Sequence, residues 1–480
     1  MLKTLAKESL IYGISGVLTR FVSVLLMPIY TAIFAPADFG IVSLVTTFSA
    51  LLSILLILSL DNSMGRWYYE NESEDDRKIT SSTFLWSCFT AALLLSTLVF
   101  VLRGYIADTI FRTPEAGRLL ALMAINLPLT VFSVFTVNML RLQRKPIATT
   151  VFTLSTALLA VALNIVFIVV LKVGVAGIFY AQIVTSVVAT IWTIVLFRNV
   201  LSPFAFSSRR WSEMINFSLP LIPATLAHWV IALSGAYFIQ IVWGTHEVGL
   251  YQVGLNVASI AALATTAFQM AWAPFAYSIH KQAGARQVYA RALLAFVAFS
   301  CSLSLGVMLF APEILRILTS PSYYDAAAVA GLLAFGQVLL GISSIAAIGP
   351  GIVKNNKPYG AAMLVSAGLL VVLNLVLVPK LGKEGAAISV LVSQSAVPLI
   401  VFARGQKIYP IPYRFAATIF ILGTSIGVGL AGMRLITYWE PTFSTGILFK
   451  LSVLLSYCGI LFLFLRKEIS PSKLIATDVH

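Results

Sequence analysis

An arginine stands in the middle of GISGVLTRFVSVLLMPIYT, residues 13–31, an otherwise apolar and small-residue run long enough to cross a bilayer. On insertion scales an arginine at a helix centre costs about 2.5–3.5 kcal/mol, so Arg20 has to face a partner or a wet cavity rather than lipid. A guanidinium pairs with phosphate oxygens through two parallel charge-assisted hydrogen bonds, which makes a diphosphate a chemically suitable ligand. Ser9, Gly13, Gly16, Arg20 and Ser23 follow at helical steps of four, three, four and three, with Tyr12, Thr19 and Tyr30 beside them. This small and polar stripe either lines a cavity with Arg20 as its fixed charge, or forms a tight helix contact in which Arg20 bonds a neighbour's carbonyls.

Other residues offer less specific chemistry. Asp61 and Arg66, five apart near the end of the second apolar run, mark a mouth. Arg66 either receives an anionic headgroup or anchors the loop by charge. His228 is the one histidine inside an apolar run. It is a second cavity group and, with Asp61, a candidate for ion coupling, or else a satisfied structural histidine. The remaining carboxylates sit in loops or at the ends of apolar runs, so no carboxylate is positioned mid-membrane to bind a cationic substrate. Pro220, Pro223 and Pro274 remove backbone donors and predict kinks, which serve as hinges or are mere packing defects. Trp272 in AWAPF is expected as an interfacial anchor rather than a sugar-stacking platform. Cys88, Cys301 and Cys458 lie far apart in apolar surroundings, with neither disulfide nor zinc spacing. No metal or cofactor is expected.

The elements that must position these groups are membrane helices. Of 480 residues, 59% are hydrophobic and only 10% charged, with a mean hydropathy of +0.95. A water-soluble fold of this size needs a more polar shell. The expected class is all-α integral membrane with about fourteen spans, near 9–34, 40–62, 81–102, 118–140, 148–171, 175–197, 215–241, 249–275, 291–311, 328–350, 360–379, 385–403, 414–436 and 446–465. With the N-terminus in the cytoplasm, cytoplasmic segments hold 22 lysines and arginines and the opposite side 9. The positive-inside rule therefore puts both termini in the cytoplasm. The net charge of +14 is mostly this topology signal rather than a nucleic-acid footprint. No loop exceeds about twenty residues or carries an acidic catalytic pattern, and there is no Walker A motif. An enzyme, including a membrane polymerase or ligase with a long outer loop, is disfavoured.

The chain also repeats itself. FAPADFGIVSLV (34–45) returns as WGTHEVGLYQVG (243–254), QRKPIATT (143–150) as NNKPYGAA (355–362), and LKVGVAGIFYA (171–181) as PKLGKEGAAIS (379–389). Gly40 aligns with Gly249, Pro146 with Pro358 and Gly177 with Gly385, at offsets of 209, 212 and 208. The expected organisation is two pseudo-symmetric six-helix lobes, 1–205 and 206–410, followed by two C-terminal helices within 411–480. Six spans per lobe give both lobes the same orientation, the plan of an alternating-access transporter. The offset maps Arg20 to Trp229, beside His228.

RFVSVLLMPIYTAIFAPADFGIVSL, LDNSMGRWYYENESEDDRKITSSTF, FQMAWAPFAYS and LGKEGAA, in that order along the chain, resemble the polysaccharide-transporter branch of the multidrug/oligosaccharidyl-lipid/polysaccharide exporter superfamily. That branch includes the Wzx-type O-antigen and oligosaccharide flippases, and the resemblance covers essentially the whole chain. It implies a flippase moving an undecaprenyl-diphosphate-linked oligosaccharide from the cytoplasmic to the periplasmic leaflet of a bacterial inner membrane. It also implies a central, often cationic cavity between two lobes. The partners would be the lipid-linked glycan, membrane lipids and downstream polymerase and chain-length proteins, with a proton or sodium gradient as a candidate drive. A lipid II flippase and a multidrug or cation antiporter of the same superfamily are the alternatives.

Overall fold

In hydrocarbon every backbone N–H and C=O must be satisfied within the chain, and long apolar runs do this as helices. The computed structural model describes residues 26–469 apart from 71–72, 201, 203–204, 354 and 440–441, and every regular element among them is helical. In chain order these are α1 (Met27–Ile33), α2 (Pro36–Ile57), α3 (Leu60–Glu70), α4 (Glu74–Tyr105), α5 (Ala116–Leu142), α6 (Pro146–Asn164), α7 (Ala176–Phe197), α8 (Ser208–Ser218), α9 (Ile222–Leu233) and α10 (Gly235–Trp243). There follow α11 (Thr245–Ile279), α12 (Ala285–Leu318), α13 (Ala327–Ala346), α14 (Ile348–Ile352), α15 (Lys357–Ile408), α16 (Phe415–Trp439) and α17 (Phe443–Ile469).

Local chemistry explains the punctuation. Pro36, Pro146 and Pro358 each stand in the first turn of a helix, where the missing N–H has no intrahelical partner to lose. The α15 run holds two spans, because at Gly382 the backbone takes φ 54° and ψ −132° and turns back. Only glycine adopts that conformation without steric cost. With α15 split there and α8 to α10 taken as one broken span, thirteen of the fourteen expected spans lie within the described residues. The first is described only from residue 26.

Contacts divide the chain into two units. Among the described residues, one is built from those up to Gln252 together with Leu370–Ala386, the other from Val253–Leu369 and those from Ala387 onward.

In the second unit α12 and α13 are central, with 67% and 72% of their apolar stretches buried, against 11% for α17. The last helix therefore packs little of its surface against the rest of the chain. Lipid tails are as apolar as leucine, so helices associate through close packing and polar contacts rather than by hiding from water. Trp272 belongs to this core. It is 4% exposed, stacked on Phe268 at 5.6 Å and edge-on to Tyr289 at 5.8 Å. The interfacial anchor expected for it is thus corrected: its ring finds aromatic partners inside the helix packing. Tyr289 in turn donates to the Ala276 carbonyl at 2.6 Å.

The sequence places Glu313 and Lys450, 137 residues apart, at span ends. The fold joins them, with Lys450 Nζ donating to both carboxylate oxygens at 2.6 and 2.7 Å.

Candidate functional site

Two spans of the first unit are broken, and the breaks face each other. Span two stops where Leu58 and Ser59 take left-handed φ values of 49° and 57°, before α3 resumes at Leu60. Such geometry costs roughly 1–2 kcal/mol per non-glycine residue. Span seven breaks between α8 and α9, where Leu219–Leu221 forms a 3₁₀ turn and the axis bends by 44°. Pro220 and Pro223 account for the bend, since neither supplies an N–H to the preceding turn.

Hydrogen bonds tie break to break. The Ser59 carbonyl, released from its helix, accepts from Ser218 Oγ at 2.9 Å and from the Asn62 N–H at 3.1 Å. Ser218 Oγ also lies 3.0 Å from Ser63 Oγ, and the Ser59 and Thr225 hydroxyls are 3.0 Å apart. Ser63 and Ser218 are fully buried. Polar atoms left over by two interrupted helices thus satisfy each other inside the helix packing, as the need to pair every buried backbone group requires.

Several sequence candidates gather around this pair. Asp61 and Asn62 are exposed in the first turn of α3. Arg66 is held over the rings of Phe217 at 4.9 Å and Trp67 at 5.2 Å, and its carboxylate partner is Glu70 at 3.9 Å rather than Asp61. Phe217 directly precedes Ser218, so Arg66 stands beside the break in span seven. His228, exposed, follows Thr225 by one helical turn on α9. Beside it Trp229 Nε1 donates to the Thr47 carbonyl at 3.3 Å. Pro274 falls within the continuous helix α11.

Tyr30 is elsewhere, its hydroxyl donating to Asn164 Oδ1 at 2.9 Å. One repeat on, Asn374 occupies the place of Asn164, fully buried and with no protein partner for its amide. Arg20, Tyr12 and Thr19 lie outside the described residues.

At the end of the first unit where α2 begins, the two copies of the repeated turn meet. A Cβ built on Gly40 would collide with the Thr245 carbonyl, lying 2.8 Å from its carbon, and one on Gly249 would collide with the Pro36 carbonyl at 2.7 Å. Ser43 donates to Gln252 Oε1 at 2.8 Å across a separation of 209 residues, the repeat offset itself. Around this crossing Gln240 Nε2 donates to the Phe111 carbonyl at 2.7 Å, and Trp243 Nε1 to the Val378 carbonyl at 2.8 Å. Lys383 Nζ reaches Glu247 at 2.9 Å and Glu384 at 3.5 Å. Asp38, the counterpart of Glu247 in the first repeat, instead accepts from the Ala35 N–H at 3.3 Å and caps its own helix.

Sequence reasoning missed the ion pairs. Asp76, one of the carboxylates that the sequence places at the end of an apolar run, binds Arg210 at 2.6 Å with both side chains largely buried.

The many long apolar helices among the described residues define a multi-pass membrane protein, and the comparisons agree on the fold. The structure is similar to that of the lipid II flippase MurJ in an inward closed conformation, with TM-score 0.74 and 14% identity over 96% of this chain and 100% of that one. It is also similar to a multidrug resistance MATE family transporter of the MOP superfamily. In its inward-facing conformation the TM-score is 0.60 at 16% identity, over 83% of this chain and 95% of that one. In the outward-facing conformation the TM-score is 0.59 at 16% identity, over 87% and 96%. No curated protein matches the sequence. The model of the polysaccharide biosynthesis protein family matches residues 18–328, and the chain belongs to that family.

Proposed function

We propose that the protein flips a polyprenyl-diphosphate-linked oligosaccharide, such as an O-antigen or other polysaccharide repeat unit, from the cytoplasmic to the outer leaflet of a bacterial inner membrane. The pairing of the breaks in spans two and seven carries the transport reading. Two interrupted helices bonded at their interruptions form a pivot, and a pivot is what rocking of one lobe against another needs. Family membership supports a saccharide substrate. The charge pattern supports an anionic one, because Asp76, Glu247 and Glu313, which pair between described helices, are each neutralised by an arginine or lysine.

In this reading both termini are cytoplasmic, the lobes are 1–205 and 206–410, and residues 411–480 form a flank. Arg20 holds the diphosphate through its bidentate fork. Tyr12, Thr19, Tyr30, Arg66 and His228 line the path, Pro220, Pro223 and Pro274 allow flexing, and Asp61 or His228 takes up a coupling proton or sodium ion. The prenyl tail stays in lipid while the headgroup crosses a wet cavity, so no sugar is desolvated in hydrocarbon and no bond is made or broken.

A lipid II substrate is the second reading, favoured by the full-length likeness to the lipid II flippase. The test is leaflet transfer in proteoliposomes of a defined lipid-linked oligosaccharide, with lipid II in a parallel arm. Wild type should transfer the oligosaccharide, Arg20→Ala should lose most of the activity, and Arg20→Lys should retain part of it. Normal transfer by a correctly inserted Arg20→Ala refutes the diphosphate role. Transfer of lipid II alone refutes the saccharide-carrier reading.

A further inference from the structure

The contact between the repeated turns has a property that ordinary helix packing lacks: it is reciprocal at the level of single atoms. Pro36 is the first residue of α2 and Thr245 the first of α11. Each offers its carbonyl, one turn ahead of its own helix's glycine, to the glycine of the other helix. The hydrogen that glycine carries in place of Cβ points at that oxygen, the geometry of a Cα–H···O contact. Gly40 pairs with Thr245 and Gly249 with Pro36, while Ser43 and Gln252 close the third rung one turn further in. The 209-residue offset carries the first rung onto the second, since it matches Pro36 with Thr245 and Gly40 with Gly249, and the third rung joins two residues that it makes equivalent, so the seam is symmetric between the repeats.

We propose that Gly40 and Gly249 form a reciprocal gate, a closed seam at the end of the transport path where spans two and eight begin. Closure requires the absence of a side chain at both positions. Two backbones at this distance exclude water and any headgroup from passing, and Ser43 behind them is 3% exposed. The seam is also weakly bonded. Its rungs are two Cα–H···O contacts and one neutral hydrogen bond, so it separates without leaving a buried charge behind. The charged pair Lys383–Glu247 lies beside the seam and not within it.

This inference deepens the flippase reading and rests on it for the word gate, but its experiment does not depend on which lipid is carried. The protein is prepared with Cys88→Ala, Cys301→Ala and Cys458→Ala, and Ser43→Cys as the reporter. It is reconstituted in proteoliposomes and exposed to a water-soluble maleimide on both membrane faces. Residue 43 should label slowly when both glycines are present. Gly40→Ala and Gly249→Ala should each raise the rate by about tenfold or more, since a methyl at either site keeps the helices apart. Gly104→Ala, at a glycine with nothing within 4 Å, should leave it unchanged.

Unchanged labelling in Gly40→Ala and Gly249→Ala overturns the proposal, as does an equal rise in Gly104→Ala. A second measurement keeps both glycines. Ser43→Cys with Gln252→Cys, joined by a short bifunctional thiol reagent, should abolish lipid transfer, and reductive cleavage should restore it. Transfer that continues through the cross-link overturns the gate and leaves the flippase reading standing. Failure of the wild type to move any lipid-linked saccharide overturns that reading while the labelling experiment still reports on the seam.

Discussion

Removing Lys450 tests how the C-terminal helices are held. Its ammonium lies in α17, 3% exposed, with two hydrogen bonds to Glu313 of α12 at 2.6 and 2.7 Å. Phe310 covers it at 5.9 Å. Lys450→Met keeps the volume and apolar stem but leaves the Glu313 carboxylate unpaired. Breaking one side of a buried pair typically destabilises by 3–5 kcal/mol. The Glu313 side chain is 16% exposed, so some solvation persists and about 2–4 kcal/mol is the better expectation. At about 2–4 °C per kcal/mol for a unit of this size, the unfolding midpoint should fall by roughly 4–16 °C. The assay is thermal unfolding of purified protein in detergent, followed by intrinsic fluorescence. The companion variant Glu313→Leu with Lys450→Met removes both charges and should recover most of the loss, to within about 1 kcal/mol of wild type, because an apolar pair has no desolvation penalty. A wild-type midpoint for Lys450→Met alone would refute the reasoning. So would a double variant less stable than either single one.

Ser218→Ala removes the donor to the released Ser59 carbonyl and should destabilise by about 1–2 kcal/mol, read as a lower unfolding midpoint, with slower lipid transfer. Joint replacement Pro220→Ala and Pro223→Ala restores two backbone donors at the bend of span seven, and transfer should fall severalfold at unchanged membrane insertion, as measured in proteoliposomes. Lys383→Met unpairs Glu247 beside the glycine seam and should speed maleimide labelling of a cysteine at residue 43 by about two- to fivefold, the effect of a partly exposed pair. Gly331→Ala should lower the unfolding midpoint because its new methyl would lie 2.6 Å from Met308 Cγ in the core between α12 and α13.

The glycines of the repeated turns show how sequence and structure divide the information. Alignment singled out Gly40 and Gly249 as equivalent, and chain chemistry alone explains why each follows the opening turn of a helix. That they touch each other could not be read from either segment. The same holds for Pro220 and Pro223: the missing donors predict a kink in span seven, whereas the bonding of that kink to the break at Ser59 depends on two spans meeting at one depth. Leu58 and Ser59 themselves carry no glycine or proline signal, and their left-handed turn is held by the partner helix.

Taken by itself, the sequence determined the all-helical, multi-pass membrane class and the family, because hydropathy over some twenty residues and the need to satisfy the backbone are local requirements. Only the tertiary structure decided which polar groups meet. Lys450 finds Glu313, Arg210 finds Asp76, Lys383 finds Glu247, and Trp272 goes to the core rather than the interface. The physical reason is that lipid-facing and helix-facing surfaces are almost equally apolar in this chain, so no pattern along one helix announces which face will be packed. Close approach at glycine and the pairing of isolated charges settle that choice, and both depend on a second helix far away in the sequence.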